Sequence, residues 1–355
     1  MRADVVHVEG APGPTLVLDR ARLPPGALAS RGELAALLGW LERTGRGGIR
    51  KIALYGESRT PGFDLDYRFV QRLPDGFDFR VGCGHSLLAC VVAARRRGPV
   101  RVRALTTGDT VVCEPEGGAS GADGVPDGAD GANGADGANG VDGADRADAG
   151  AAHTVRFAGP GPGHRLLPTR RPVERIGGLT ASLVCFGNPY LLVDAAALGV
   201  HGAEQLFAAE RELLRPLLRA RLHAALLLGM APGAALPKVA AVGADPSGLL
   251  HARGVTVDGW HPGLALTGAA CLAAAAALPG TLPHRLAHAG PTTPAPRTPA
   301  PRTLALRVRT PGGVVHASVT ARDTGRGIGG VAVHGKRARV AERGVRLPWR
   351  IRVTA

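Results

Sequence analysis

The stretch Val81-Gly82-Cys83-Gly84-His85-Ser86 runs on as Leu87-Leu88-Ala89-Cys90-Val91-Val92-Ala93-Ala94 before three arginines, and the fold turns on how it is read. An apolar run without a polar face is a helix buried along most of its length, expected here over residues 86–97. Its Arg95–Arg97 end suits the negative pole of the helix dipole. Glycines ahead of a helix let backbone N–H groups approach an anion closely, and the dipole adds partial positive charge there. The chain does this twice: Leu266-Thr267-Gly268-Ala269 opens a second all-apolar helix, expected over residues 268–278. Two such ends facing one cleft would hold a small molecule with carboxylates at both of its ends.

Strand-like sequence flanks each buried helix. Residues 15–18, 51–55, 65–70, 100–104 and 110–113 are β-branched or aromatic enough to predict strands. An amphipathic helix over residues 31–43 carries Leu34, Leu37, Leu38 and Leu41 on one stripe. The second half repeats this order. Strands are expected at 179–185 and 190–193 around Gly187-Asn188-Pro189, then a helical region over 202–229 broken near Pro216. A strand at 239–242 and late strands at 304–309, 314–321, 330–333 and 345–353 complete it. The repetition predicts a duplicated α/β (α+β) architecture, with domains over residues 1–175 and 176–355.

Two segments interrupt that pattern. Residues 117–152 are Gly-Ala-Asp and Gly-Ala-Asn triplets without aromatics, too polar to offset their ordering entropy, and are expected to be a flexible insertion. Residues 291–303 (PTTPAPRTPAPRT) form a Pro-rich insertion.

The formal charge of +14 is uneven: residues 114–150 carry a net −8, leaving about +22 elsewhere. That surplus is almost all Arg, because Lys51, Lys238 and Lys336 are the only lysines. No basic helix is interleaved with stacking aromatics, so no nucleic-acid partner is expected. Small anionic metabolites are the partners the charge favours. No apolar run reaches the length of a bilayer span, and no signal peptide is visible. Five cysteines, odd in number and without a CxxC pair, fit a reduced cytoplasmic setting and no metal site.

Chemistry is expected where the two buried helices begin. A cysteine at a helix start has its thiolate favoured and can carry a proton, although Cys83 reads equally as a small buried thiol. A lysine at a buried strand edge loses basicity by desolvation and can act as a general base. Lys51 heads the strand at 51–55, where a solvated strand-end lysine is the plainer alternative.

Several ordered motifs resemble the PrpF family of aconitate isomerases, which share the two-domain fold of diaminopimelate epimerase. Asp64-Leu65-Asp66-Tyr67-Arg68-Phe69-Val70-Gln71 resembles the family's Asp-Val-Asp-Tyr-x-Phe-x-Gln, and Gly82-Cys83-Gly84-His85 its Asn-Cys-Gly-Asn turn. Leu166-Leu167-Pro168-Thr169, Gly187-Asn188-Pro189, Pro237-Lys238-Val239, and His261 with Thr267-Gly268-Ala269 follow in the family's order. The resemblance implies two similar domains, each a curved sheet or barrel around a central buried helix, with the active site in the cleft between them. It implies Lys51 as general base and Cys83 as acid, with substrate held by Gly84, His85, Ser86, Asn188, His261, Thr267 and Gly268. The implied reaction is a cofactor-independent, metal-free shift of a double bond, or of its geometry, in a small unsaturated polycarboxylic acid. Self-association is left open.

The departures fall on the binding shell. The family's Gly-Gly-Thr-Ser-Lys-Gly opening loop is Glu9-Gly10-Ala11-Pro12-Gly13-Pro14 here, and both asparagines around the cysteine are replaced, by Gly82 and His85. Ala265 stands where related epimerases have a second cysteine, which argues against two-thiol racemisation of an amino acid. An altered substrate, or a member that binds a polyacid or a protein partner without turnover, is the alternative these departures raise.

Overall fold

Continuous apolar runs with little charge can bury both faces of a strand, and the strands Thr15–Asp19, Asn188–Asp194 and Lys238–Ala244 are used in this way. The computed structural model describes residues 2–24, 26, 29–74, 76–117, 150–160, 166–256, 259–289, 303–322 and 327–347. The expected insertions at 117–152 and 291–303 lie outside the described residues except at their edges.

The first half contains β1 (Arg2–Val8), β2 (Thr15–Asp19), α1 (Arg31–Arg43), β3 (Lys51–Glu57), β4 (Leu65–Leu73), β5 (Gly76–Asp78), α2 (Gly84–Ala93), β6 (Val100–Ala104), β7 (Thr110–Pro115) and β8 (Ala152–Ala158). The second contains β9 (Glu174–Ile176), β10 (Leu179–Phe186), β11 (Asn188–Asp194), α3 (Ala203–Ala208), α4 (Leu214–Leu227), β12 (Lys238–Ala244) and β13 (Leu250–Thr256). It continues with β14 (Gly259–Trp260), α5 (Leu266–Ala276), α6 (Leu282–Ala287), β15 (Thr303–Thr310), β16 (Gly313–Ala321) and β17 (Ile328–Arg346).

Hydrogen bonding runs β1, β2, β3, β4, β6, β7, β8, β17 and back to β1, closing eight strands into a barrel. α2 fills it, packed on β1 to β4 and on β17. In the second half β9, β10, β11, β12, β13, β15, β16 and β17 follow one another around α5. β17 is the common wall. Its first part pairs with β16 and β8, and its last with β1, so the end of the chain completes the sheet around α2.

Each half has an outer layer as well. The parallel pairs β2–β3 and β11–β12 need a crossover, supplied by α1 in one case and α3–α4 in the other. Leu34, Leu37, Leu38 and Leu41 of α1 pack on Leu16, Leu18, Ile52 and Leu54. Leu217, Ala220 and Ala224 of α4 pack on Leu191, Val193, Val239 and Ala241. The opposite strand faces, with Val17 and Ala53 or Leu192 and Ala240, join both central helices in one continuous core. Burying each Val or Leu there contributes about 1.5–3 kcal/mol.

The first buried helix starts two residues earlier than expected and ends at Ala93. Arg95 takes a left-handed φ of 53° and turns the chain toward β6, so the three arginines follow the helix rather than belong to it. The break expected near Pro216 lies at residues 209–213. Pro216 sits in the first turn of α4, where its missing N–H interrupts no helical bond. The strand expected at 330–333 and the first two residues of the one expected at 345–353 are parts of the single 19-residue β17. A register shift between Val333 and Lys336 breaks the two-residue period and hides their continuity. Residues 348–355 lie outside the described residues.

Candidate active site

The alternation of β3 decides where Lys51 points. Ile52 and Leu54 face α1, so Lys51 and Ala53 face inward toward α2. Lys51 is 7 % exposed, and its Nζ donates to the Gly13 carbonyl at 3.1 Å. Burial lowers its basicity, and Cys83 opposes part of that effect. β12 repeats the arrangement: Val239 and Ala241 face α4, leaving Lys238 and Ala240 on the inner face. Burial again lowers the amine's pKa, against the fields of Cys83 and Asp78.

α2 and α5 meet close to their N-terminal ends. A Cβ on Gly84 would stand 2.7 Å from Leu266 Cδ2, and one on Gly268 would stand 2.9 Å from the Tyr190 hydroxyl, so a side chain at either position would force its neighbour to move. Cys83 and Ala265 occupy the two N-caps, and neither side chain caps an N–H group. The first amides of both helices therefore remain available to an anion.

Behind these ends lies a polar brace. Asn188 Nδ2 donates to the Gly82 carbonyl at 2.7 Å, and Gly82 N–H donates to Asn188 Oδ1 at 2.9 Å, so β11 of the second half holds the turn before α2. The Tyr67 hydroxyl donates to the Cys83 carbonyl at 2.9 Å. Thr15 and Ser86 share a hydrogen bond of 3.0 Å.

A cleft of ≈ 830 Å³, its open mouth included, lies over the two helix starts. Its described lining includes the basic residues Arg50, Lys51 and Lys238 and no Asp or Glu. His85 and His261 also line it, with ring centroids 6.2 Å apart and planes 23° apart. His261 Nδ1 accepts from Gly263 N–H at 3.1 Å. Burial first, then Lys51 and Lys238, bring its pKa to about 4. The ring is therefore neutral with its proton on Nε2, a fixed hydrogen-bond donor. His85 is driven well below its ordinary value by burial, then by Lys51, His261 and Lys336. Its Nε2 is buried without a partner.

The cleft brings together Lys51, Cys83, Gly84, His85, His261 and Thr267. Ser86, Asn188 and Gly268 are not among its lining residues; Ser86 and Asn188 carry the brace, and Gly268 is the close approach to Tyr190. Sequence reasoning missed Lys238 and Arg50 as cleft residues. The signal for Lys238 was present: an amine at the head of a strand whose next residue faces the outer helix, as at Lys51. Among the described residues no helix is long and apolar enough to cross a membrane, and no group of three or more His, Cys, Asp or Glu is placed to hold a metal.

The structure is similar to that of a methylitaconate-delta-isomerase, with a TM-score of 0.62 and 19% identity over 99% of this chain and 98% of the other. A hydroxyproline epimerase from Agrobacterium vitis follows at 0.55 and 15%, covering 96% and 89%. A probable proline racemase from Agrobacterium radiobacter gives 0.51 and 14%, covering 96% and 92%. At these identities the likeness establishes a shared fold. No curated protein matches by sequence. The PrpF protein family, however, matches residues 44–321, most of the chain, and the chain belongs to the PrpF family.

Proposed function

We propose that this protein is a cytoplasmic, cofactor-independent isomerase that shifts a double bond, or its geometry, in a small unsaturated di- or tricarboxylic acid. The observation that carries this reading is the cleft itself. An amine of lowered basicity and a thiol stand at two uncapped helix N-termini, among cations and without a carboxylate. Family membership and the likeness to a methylitaconate-delta-isomerase support it.

In this mechanism neutral Lys51 removes a proton from the carbon allylic to a carboxylate. The electron pair delocalises through the double bond into that carboxylate, where the helix amides and the His261 Nε2–H stabilise the growing negative charge. The Cys83 thiol delivers a proton at the other end of the allylic system, leaving thiolate. Proton return from Lys51 ammonium to thiolate, directly or through water, restores the starting state. Positioned acid–base groups of this kind contribute about 10²–10⁴-fold each.

A second reading, binding without turnover, draws on the opening loop. It reaches Lys51 through a hydrogen bond to the Gly13 carbonyl, and it lacks the family's Ser and Lys. Incubation in D2O with aconitates, methylaconitates and oxalomesaconate, followed by NMR, separates the two. Deuterium incorporation that disappears in Lys51→Met supports the isomerase. Folded protein that exchanges none of these acids overturns it.

A further inference from the structure

Lys51 and Lys238 occupy equivalent places in the two halves. Each is the first residue of a strand paired in parallel with the strand before it: Thr15 lies opposite Lys51 and Tyr190 opposite Lys238. Each points inward beside an alanine, toward the same cleft. Their surroundings differ. Lys51 Nζ holds the Gly13 carbonyl and faces a helix capped by Cys83, whereas the equivalent cap in the second half is Ala265. Lys238 is thus an amine placed like a base without a thiol partner in its own half.

Lys238 also lacks a resident counter-ion. Among the described residues no hydrogen bond or ion pair reaches its Nζ. Asp78, whose field acts on it, is committed elsewhere: Oδ1 accepts from Arg80 N–H at 2.8 Å and Oδ2 from Ala235 N–H at 3.1 Å. A partly buried ammonium without an anion is unfavourable. Lys238 also stands where the cleft meets an adjoining cavity of ≈ 1030 Å³, with which it shares Val239, Val255 and Thr256.

We propose that Lys238 reads the second carboxylate of the substrate, pairing with the one remote from the carbon that Lys51 deprotonates. This assignment rests on the reading of Lys51 and Cys83 as the reacting end. It makes the duplicated lysines a ruler: one does chemistry, while the other fixes which end of the acid lies over Cys83 and favours acids with at least two carboxylates.

The test is calorimetric binding of saturated, non-reacting acids of equal length, succinate against butyrate, to the full chain and to Lys238→Gln and Lys238→Arg. Lys238→Gln is expected to weaken succinate binding by about tenfold or more, leaving butyrate within about twofold, with substantial rescue in Lys238→Arg. With an acid that turns over, KM rises about tenfold while kcat stays within about threefold. Equal loss for both acids, or no loss in a folded variant, overturns the proposal. Should Lys238→Gln not fold, wild-type protein that binds the two acids equally, or fails to bind succinate, overturns it too. Lys238-dependent binding without proton exchange sinks the isomerase reading alone. Exchange at acid concentrations well below KM that is unaffected by Lys238→Gln sinks this one alone.

Discussion

The two halves of this protein share a topology and differ at the tips of their central helices. Thr15, Lys51, Cys83 and Ser86 in the first half correspond to Tyr190, Lys238, Ala265 and Gly268 in the second. In the first, small hydroxyls bond across the strand–helix gap, and a thiol stands at the N-cap position without capping an amide. In the second, the tyrosine ring fills the gap, glycine makes room for it, and the cap carries no reactive atom. On the proposed reading, both helix ends bind the anion and only the first carries acid–base groups.

The comparison can be broken most severely at the caps. Cys83→Ala makes the first half match the second and is expected to lower the proton-exchange rate by about 10³-fold. The melting temperature should scarcely move, because the Cys83 side chain caps no amide. A variant that retains full exchange would show that the caps do not distinguish the halves.

Acid is the next largest perturbation. His261 titrates at about 4 in the fold against 6.5 in the free side chain, so between these values the unfolded chain binds more protons. The contribution is complete above about pH 6.5 and is lost as pH falls toward 4, amounting to about 3 kcal/mol, with His85 acting in the same direction. Urea midpoints at pH 7 and 4.5 should differ, and His261→Gln should make the difference smaller. A wild-type midpoint independent of pH would exclude a neutral imidazole pair.

The packing difference at the helix tips is open to smaller tests. Gly268→Ala forces a methyl against the Tyr190 ring and should destabilise the fold by about 2 kcal/mol, read by chemical denaturation. Ser86→Ala removes the bond to Thr15 and should cost about 1 kcal/mol. Equal costs at the two positions would mean that the gaps are packed alike.

Much of this was legible along the chain because it rests on local pattern. The apolar runs after Cys83 and Ala265 announced the central helices. The leucine stripe of α1 announced an outer layer, and the repeated order announced duplication. Motif order placed Lys51, Cys83, His261 and Thr267 together. Boundaries were harder to read where local signals competed with topology: the arginines after α2 resemble a helical end, yet the chain must turn there to enter β6.

By itself the sequence determined which segments are buried and which chemical groups they carry, since burial follows from periodicity and composition. Only the tertiary structure decided which groups meet. Asn188 braces a turn 106 residues earlier, and Lys238 shares a cleft with a thiol it does not adjoin in sequence. The final strand closes a barrel begun at Arg2. The reason is physical: hydrogen-bond register and the direction of each strand face are set by pairing with distant partners, and one sequence pattern is compatible with many such partners until the core is assembled.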